Sequence, residues 1–309
     1  VALFFCYNEK PAQGQIMKSK MEASMFKNLS PGAVGIRCSW LEGLDLAQQA
    51  GFEGADLSLG DAKKIADEQG IDAVKELFAS RNLKMGGWGL PVNWRGTDAE
   101  FYESLSRLPA QAQLAAELGC FRTMTWVPPC SNDKPRKENF DFHVKRFRLI
   151  AEVLKDYGHR LGLEFIGPRT SRASAKHGFI YTMDGMLAMC CAIGTGNVGL
   201  LLDCWHWYTA QSTLDDLKHL TADDVVYVHL NDAPKERSVL DQIDNQRCLP
   251  GETGVIPLRE FLSILKDIGF DGPVTVEPFN QRLREMAEKD ALQAAKVTRE
   301  SLDKVWITG

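Results

Sequence analysis

The chain has 309 residues, 44% hydrophobic and 25% charged, with a formal net charge of −5 at pH 7. That composition is ordinary for a globular protein, supplies enough apolar material for one large core, and excludes wholesale disorder. An acidic balance without a basic cluster argues against nucleic acid, and no apolar stretch reaches the roughly 18 residues of a bilayer span, so neither nucleic acid nor membrane is expected as a partner.

The N-terminal VALFFC run has no basic stretch before it and no cleavage signature behind it, so no signal peptide is expected. Residues 1–24 precede the repeating pattern and are read as a leader of unknown role, which leaves 25–309 as a single catalytic domain. The eight cysteines include no CxxC pair, and several fall in apolar patterns as small hydrophobes. A reducing, cytoplasmic compartment is the expectation.

From Gly32 onward, β-branched and apolar runs alternate with stretches of helical period, the signature of repeated βα units. The expected strands begin at Gly32 (GAVGIRCS), Gly54 (GADLSL), Lys84 (KMGGWGL), Phe121 (FRTMTWVPP), Arg160 (RLGLEFIG), Val198 (VGLLLD), Val225 (VVYVHLND) and Gly272 (GPVTVEPF). Helical segments between them, such as WLEGLDLAQQAG and FHVKRFRLIAEVLKDYG, end in glycine, the usual left-handed terminator. Eight units favour closure into a (β/α)8 TIM barrel over an open doubly wound sheet. No GxGxxG or GxxxxGK[ST] loop follows the first strand, so no nucleotide cofactor is expected.

In such a barrel the strand C-termini build the site. Four late strands end in ligand types: Glu164 in GLEFIG, Asp203 in LLLDCWHW, His229 in VYVHLND and Glu277 in VTVEPF. Each acid sits in an apolar strand, where it needs a partner or a metal to offset desolvation. Separate neutralisation by Arg or Lys is an adequate reading for one such acid and a weak one for four consecutive strands. Three carboxylates and one imidazole suit one divalent ion, Mn²⁺, Mg²⁺, Co²⁺ or Zn²⁺.

The segments GLEFIG, LLLDCWHW, VHLNDAP, RCLPGETGVIPL and VTVEPFN resemble the xylose isomerase-like sugar isomerase/epimerase superfamily, nearest to its inosose isomerase-type members. The resemblance covers about Gly32 to Trp306. It implies one metal held by Glu164, Asp203, His229 and Glu277, with the two glutamates also serving as the acid/base pair through an enediolate intermediate. It further implies that His206 and Arg247 contact substrate. One departure is PGETG, where the family pattern reads PG-x-G; the extra residue bears on the placement of Glu252 and Arg247.

Each of these residues also has a plainer role open to it. His206 could be a packed or loop histidine, Arg247 a surface ion pair, and Asp232 either an orienting carboxylate for His229 or a loop cap. Among Trp88, Trp94, Trp126, Trp205 and Trp207, at least half are expected in the core, with Trp126 or Trp205 touching substrate. Arg169 and Arg172 could grip a phosphate, but no glycine-rich loop follows strands seven and eight, so an unphosphorylated substrate is expected. The leading reading is a metal-dependent, cofactor-free isomerase or epimerase of a small polyhydroxylated carbonyl compound, a keto-sugar or keto-inositol. The alternative is a dehydratase or lyase acting on an inosose or 3-keto-glycoside. A DNA-repair nuclease would need histidines on the early strands, which are absent, and a non-enzymatic sugar-binding role or a homo-oligomer remains open to experiment.

Overall fold

The structure is a computed structural model and describes residues 24–307; apart from Ser24, the segment read as a leader lies outside them. Parallel strands β1 (Phe26–Leu29), β2 (Gly54–Ala55), β3 (Lys84–Met85 continuing as Trp88–Gly89), β4 (Arg122–Val127), β5 (Arg160–Phe165), β6 (Val198–Asp203), β7 (Val225–Leu230) and β8 (Pro273–Val276) form one sheet. The nine hydrogen-bonded segments become eight strands because the two ends of the order, Lys84–Met85 and Trp88–Gly89, are halves of one strand. The first half pairs with β2 and the second with β4. The sheet therefore closes on itself as a (β/α)8 barrel.

Around it run α1 (Trp40–Ala50), α2 (Leu59–Gln69), α3 (Ile71–Ala79), α4 (Asp98–Leu118), α5 (Arg136–Asp156), α6 (Met183–Ile193), α7 (Cys204–Thr209), α8 (Leu214–Leu217), α9 (Leu258–Asp267), α10 (Gln281–Lys289) and α11 (Ala291–Val305). Local chemistry marks their ends. Ser39 with Glu42 and Thr97 with Glu100 form capping boxes at α1 and α4, and Gly51 and Gly119 close the same helices in the left-handed conformation. No helix among the described residues is long and apolar enough to cross a membrane.

The strands are apolar on both faces because outward residues meet helices while inward ones fill the barrel. In β5 the outward Leu161, Leu163 and Phe165 are fully buried, as are Leu200 and Leu202 in β6. Side chains alternate along a strand, so Glu164 and Asp203 are left on the inner face.

The first strand is a correction. GAVGIRCS was expected to be extended, but Pro31–Val34 forms a 3-10 turn and Gly35 ends it at φ 81°. The strand is FKNL instead. Its polar residues hide the pattern: Lys27 is buried in an ion pair with Asp303 at 2.5 Å, beneath the Trp306 ring, and Asn28 is buried in the barrel interior.

Candidate metal centre

Four neighbouring strands each deliver one ligand-type side chain to the C-terminal mouth. Glu164 comes from β5, Asp203 ends β6, His229 lies in β7, and Glu277 follows β8 by one residue. His229 stands opposite Asp203 in the ladder. One donor atom from each of the four lies within 4.8 Å of the others. His229 Nδ1 is 3.2 Å from Glu164 Oε1, 3.3 Å from Glu277 Oε2 and 3.9 Å from Asp203 Oδ2. An ion roughly 2.0–2.4 Å from each donor requires a spread of this size, so these residues fit a divalent metal.

Asp203 is positioned from two sides. Its Oδ1 caps α7 by accepting the Trp205 N–H at 2.7 Å, which leaves Oδ2 for Arg247 and the centre. Asn231 ties β6 to β8: its Nδ2 reaches both Asp203 oxygens at 3.4 Å, and its Oδ1 accepts the Glu277 N–H at 2.9 Å.

Among the protein groups alone, burial opposes a charge on every member of the cluster. For Glu164 burial prevails over the hydrogen bond and charge of His229, and its carboxyl is raised above the usual range. Burial also acts on Asp203, but the Arg247 guanidinium, with His206 and His229, outweighs it and lowers that carboxyl. Glu277 is lowered too, its burial outweighed by His229 and then Arg247. On His229 burial disfavours the cation, yet Glu277 and Glu164 hold the imidazole well above its ordinary value. The two glutamates are thus pushed in opposite directions.

Arg247 is no surface ion pair. Its side chain is 1% exposed; Nη1 donates to Asp203 Oδ2 at 2.7 Å and Glu277 Oε2 at 3.3 Å, and Nη2 donates to Asp244 Oδ1 at 2.6 Å. The guanidinium lies between Trp205 and Phe279, 4.7 Å from each ring centre. Burial works against its charge, but Asp203, Glu277 and Asp244 together hold it above its usual range. His206 is buried beside it, Nε2 3.2 Å from Arg247 Nη2 and Nδ1 accepting the Gly167 N–H at 3.3 Å.

Other expected residues separate. Asp232 does not reach the His229 ring; its carboxylate accepts four backbone N–H groups, from Ala233, Thr253, Gly254 and Ile256. These are the hydrogen bonds of a loop cap, the second of the two roles open to it. Trp88, Trp94, Trp205 and Trp207 are buried, so Trp205 backs Arg247 from below the surface. Trp126 is 42% exposed, faces Glu164 across the β4–β5 ladder, and carries Arg95 over its ring at 4.3 Å. Arg169 and Arg172 are engaged locally, by Asp241 and by the Gly167 carbonyl with the Tyr181 ring.

Asp56 was not anticipated. It follows β2 and accepts from Tyr227 Oη at 2.8 Å, Asn28 Nδ2 at 2.9 Å and the Gly87 N–H at 3.1 Å. Thr275 Oγ1 completes this network at 2.6 Å from Tyr227 Oη, and the Tyr227 ring meets His229 edge-on at 5.5 Å. Burial raises the Asp56 carboxyl above its usual range, against hydrogen bonds from Tyr227 and Asn28 and the charge of His229. The acid in GADLSL, at a strand end like the other four, was the available signal.

Comparison with known proteins places the chain in a family. An inosose isomerase from Halalkalibacterium halodurans is 27% identical over 231 residues, 74% of this chain and 78% of that protein. A xylose isomerase domain protein from Alicyclobacillus acidocaldarius has a solved structure that superposes with a TM-score of 0.80 at 33% identity, covering 91% of this chain and 98% of that one. The IolI protein, solved with a bound zinc atom, shares the fold at 21% identity and a TM-score of 0.72, over 92% of this chain and all of that one. The sequence profile of the family described as xylose isomerase-like TIM barrel matches residues 44–305, the greater part of the chain, and the chain belongs to that family.

Proposed function

We propose that this protein is a metal-dependent, cofactor-free isomerase or epimerase of a keto-sugar or keto-inositol. The observation that carries the reading is the convergence of Glu164, Asp203, His229 and Glu277 within 4.8 Å at the barrel mouth. The inosose isomerase relatives support the substrate class, a small polyhydroxylated carbonyl compound. When bound by these four residues, a divalent ion supplies Lewis-acid polarisation of the substrate carbonyl.

The chain's own groups do the proton work. Glu164 and Glu277 come from β5 and β8, flanking Asp203 and His229 in strand order. As a carboxylate, one glutamate takes the proton from the carbon beside the carbonyl. The other, protonated, returns a proton to the opposite face for epimerisation or to the neighbouring carbon for isomerisation. Arg247, its N–H groups given to Asp203, Glu277, Asp244 and His206, fixes the cluster from behind, and contact with a substrate oxygen is assigned to His206 beside it. Trp126, half-exposed at the rim, gives an apolar face for sugar C–H groups.

The test joins metal content with exchange. Elemental analysis is expected to find about one divalent ion per chain, lost in Asp203→Asn and His229→Ala. With keto-sugars and inososes in D2O, the metal-loaded protein is expected to exchange a carbon-bound proton. Glu164→Gln and Glu277→Gln should each slow exchange about 100-fold or more. A metal-loaded protein that exchanges no proton across the panel would refute the reading, and product analysis separates isomerisation from elimination of a β-leaving group.

A further inference from the structure

The loops after β7 and β8, with the first turn of α10, line an open cavity of about 820 Å³ beside the metal centre. Arg237, Arg247, Arg282 and Arg284 line it, against the single acid Glu236. Arg247 is neutralised by Asp203, Glu277 and Asp244. The other three arginines have no acidic partner among the described residues. Arg237 donates through Nη2 to Gln246 Oε1 at 2.5 Å, while its Nη1 is buried with no hydrogen-bond partner. A buried guanidinium N–H without an acceptor is costly and points to a missing one.

We infer that this cavity binds an anionic, oxygen-rich group of the substrate, a phosphate monoester or a carboxylate. A cleft lined by an excess of one sign of charge concentrates the opposite sign, and planar guanidinium forks match the oxygens of both groups. The location agrees with barrel architecture, in which loops after strands seven and eight and a short extra helix often hold phosphate. Here α10 is that extra helix, inserted between β8 and α11 with Asn280 as its N-cap. Glycine-rich loops are absent, so arginine side chains take the place of backbone N–H groups. Arg247 forms a wall of both sites, so one substrate can set its carbonyl at the centre and its anionic end in the cavity. That last placement rests on the isomerase reading; the anion site itself does not.

The test is calorimetric titration of the metal-loaded full chain with inorganic phosphate and, separately, acetate, in chloride buffer. Arg237→Gln and the double variant Arg282→Gln/Arg284→Gln are compared with the parent, with circular dichroism and metal content as controls for folding and for the centre. Saturable binding is expected, weakened about tenfold or more in each variant, the scale of a lost charge-assisted contact. Tighter binding of phosphate assigns a phosphate monoester, and tighter binding of acetate assigns a carboxylate. No saturable binding of either anion, or equal affinity in parent and variants, overturns the inference. Failure of the isomerase reading would look different: anion binding would persist while no keto-polyol, phosphorylated or not, exchanged its proton in D2O.

Discussion

His143 is buried among aromatic rings, stacked on Phe179 with centroids 4.9 Å apart. Its Nδ1–H donates to the Asn139 carbonyl at 2.6 Å, and its Nε2 is buried without a partner. A second proton would have to sit in that apolar setting, so burial, helped by the nearby Lys134 and Arg146 charges, lowers the pKa from 6.5 to about 4. Above pH 6.5 the ring is neutral in both folded and unfolded chains, and its contribution to stability is fully present. Between 6.5 and 4 only the unfolded chain takes the proton, so stability falls as pH falls, and the loss is complete below about 4. The gap of 6.5 minus 4 at 1.36 kcal/mol per unit amounts to roughly 3 kcal/mol. His143→Gln is expected to flatten this acid limb in urea titrations between pH 4 and 7. Buried His159, also lowered by desolvation, keeps a residual slope; an unchanged slope in the variant would count against the assignment. At this scale the four ligand types were legible because each interrupts an apolar strand. Asp56 was not, because β2 is too short to show alternation and its partners Asn28 and Tyr227 are 28 and 171 positions away.

At the scale of elements, the excursion between β7 and α9 is held by Asp232. Its carboxylate accepts Ala233 N–H at 2.8 Å, Thr253 at 3.0 Å, Gly254 at 2.7 Å and Ile256 at 3.1 Å, and its backbone pairs with Cys248. Thr253 Oγ1 donates to the Ala233 carbonyl, and Glu252 Oε2 accepts the Leu249 N–H. The extra residue of PGETG is thereby absorbed into the clamp, and Arg247 still reaches the centre. Asp232→Ala strands several N–H groups at once and is expected to cost about 3 kcal/mol or more. Trypsin should then cut faster at the exposed Lys235. Unchanged melting and cleavage would show that the loop is held by other contacts. Helix ends were readable because caps are local chemistry. The first strand was not: Lys27 and Asn28 are buried through partners more than 190 positions away, Asp303 and Tyr227, which no local period reveals.

For the whole molecule, the count of eight βα units was legible, but the means of closure was not. KMGGWGL reads as one strand, and it is one, yet it changes neighbours at Gly86 and Gly87, pairing with β2 before them and β4 after. The interior at this seam is full. A Cβ on Gly86 would stand 2.4 Å from Asn28 Oδ1 and 2.5 Å from Asp56 Oδ1; on Gly87, 2.8 Å from Met124 Cε and 3.1 Å from the Arg122 carbonyl. The Asn28 and Asp56 side chains cannot simply swing aside, because Asn28 Nδ2 and Asp56 Oδ1 are held in the network joining β1, β2, β7 and β8 beneath the centre. Met124 Cε is the far end of a flexible side chain and can move. Gly86→Ala is therefore expected to cost about 2–3 kcal/mol, as overpacking and a disturbed polar network do, and Gly87→Ala less. Gly89, around which a Cβ would meet nothing within 4 Å, is the control; its alanine variant should stay within about 0.5 kcal/mol of the parent. Urea unfolding of the three variants reads the order directly. If Gly86→Ala proved as stable as Gly89→Ala, the crowding of the polar network against the seam would not be what demands glycine there. If the expected order held, the residues that close the barrel and those that floor its metal centre would be one packed unit.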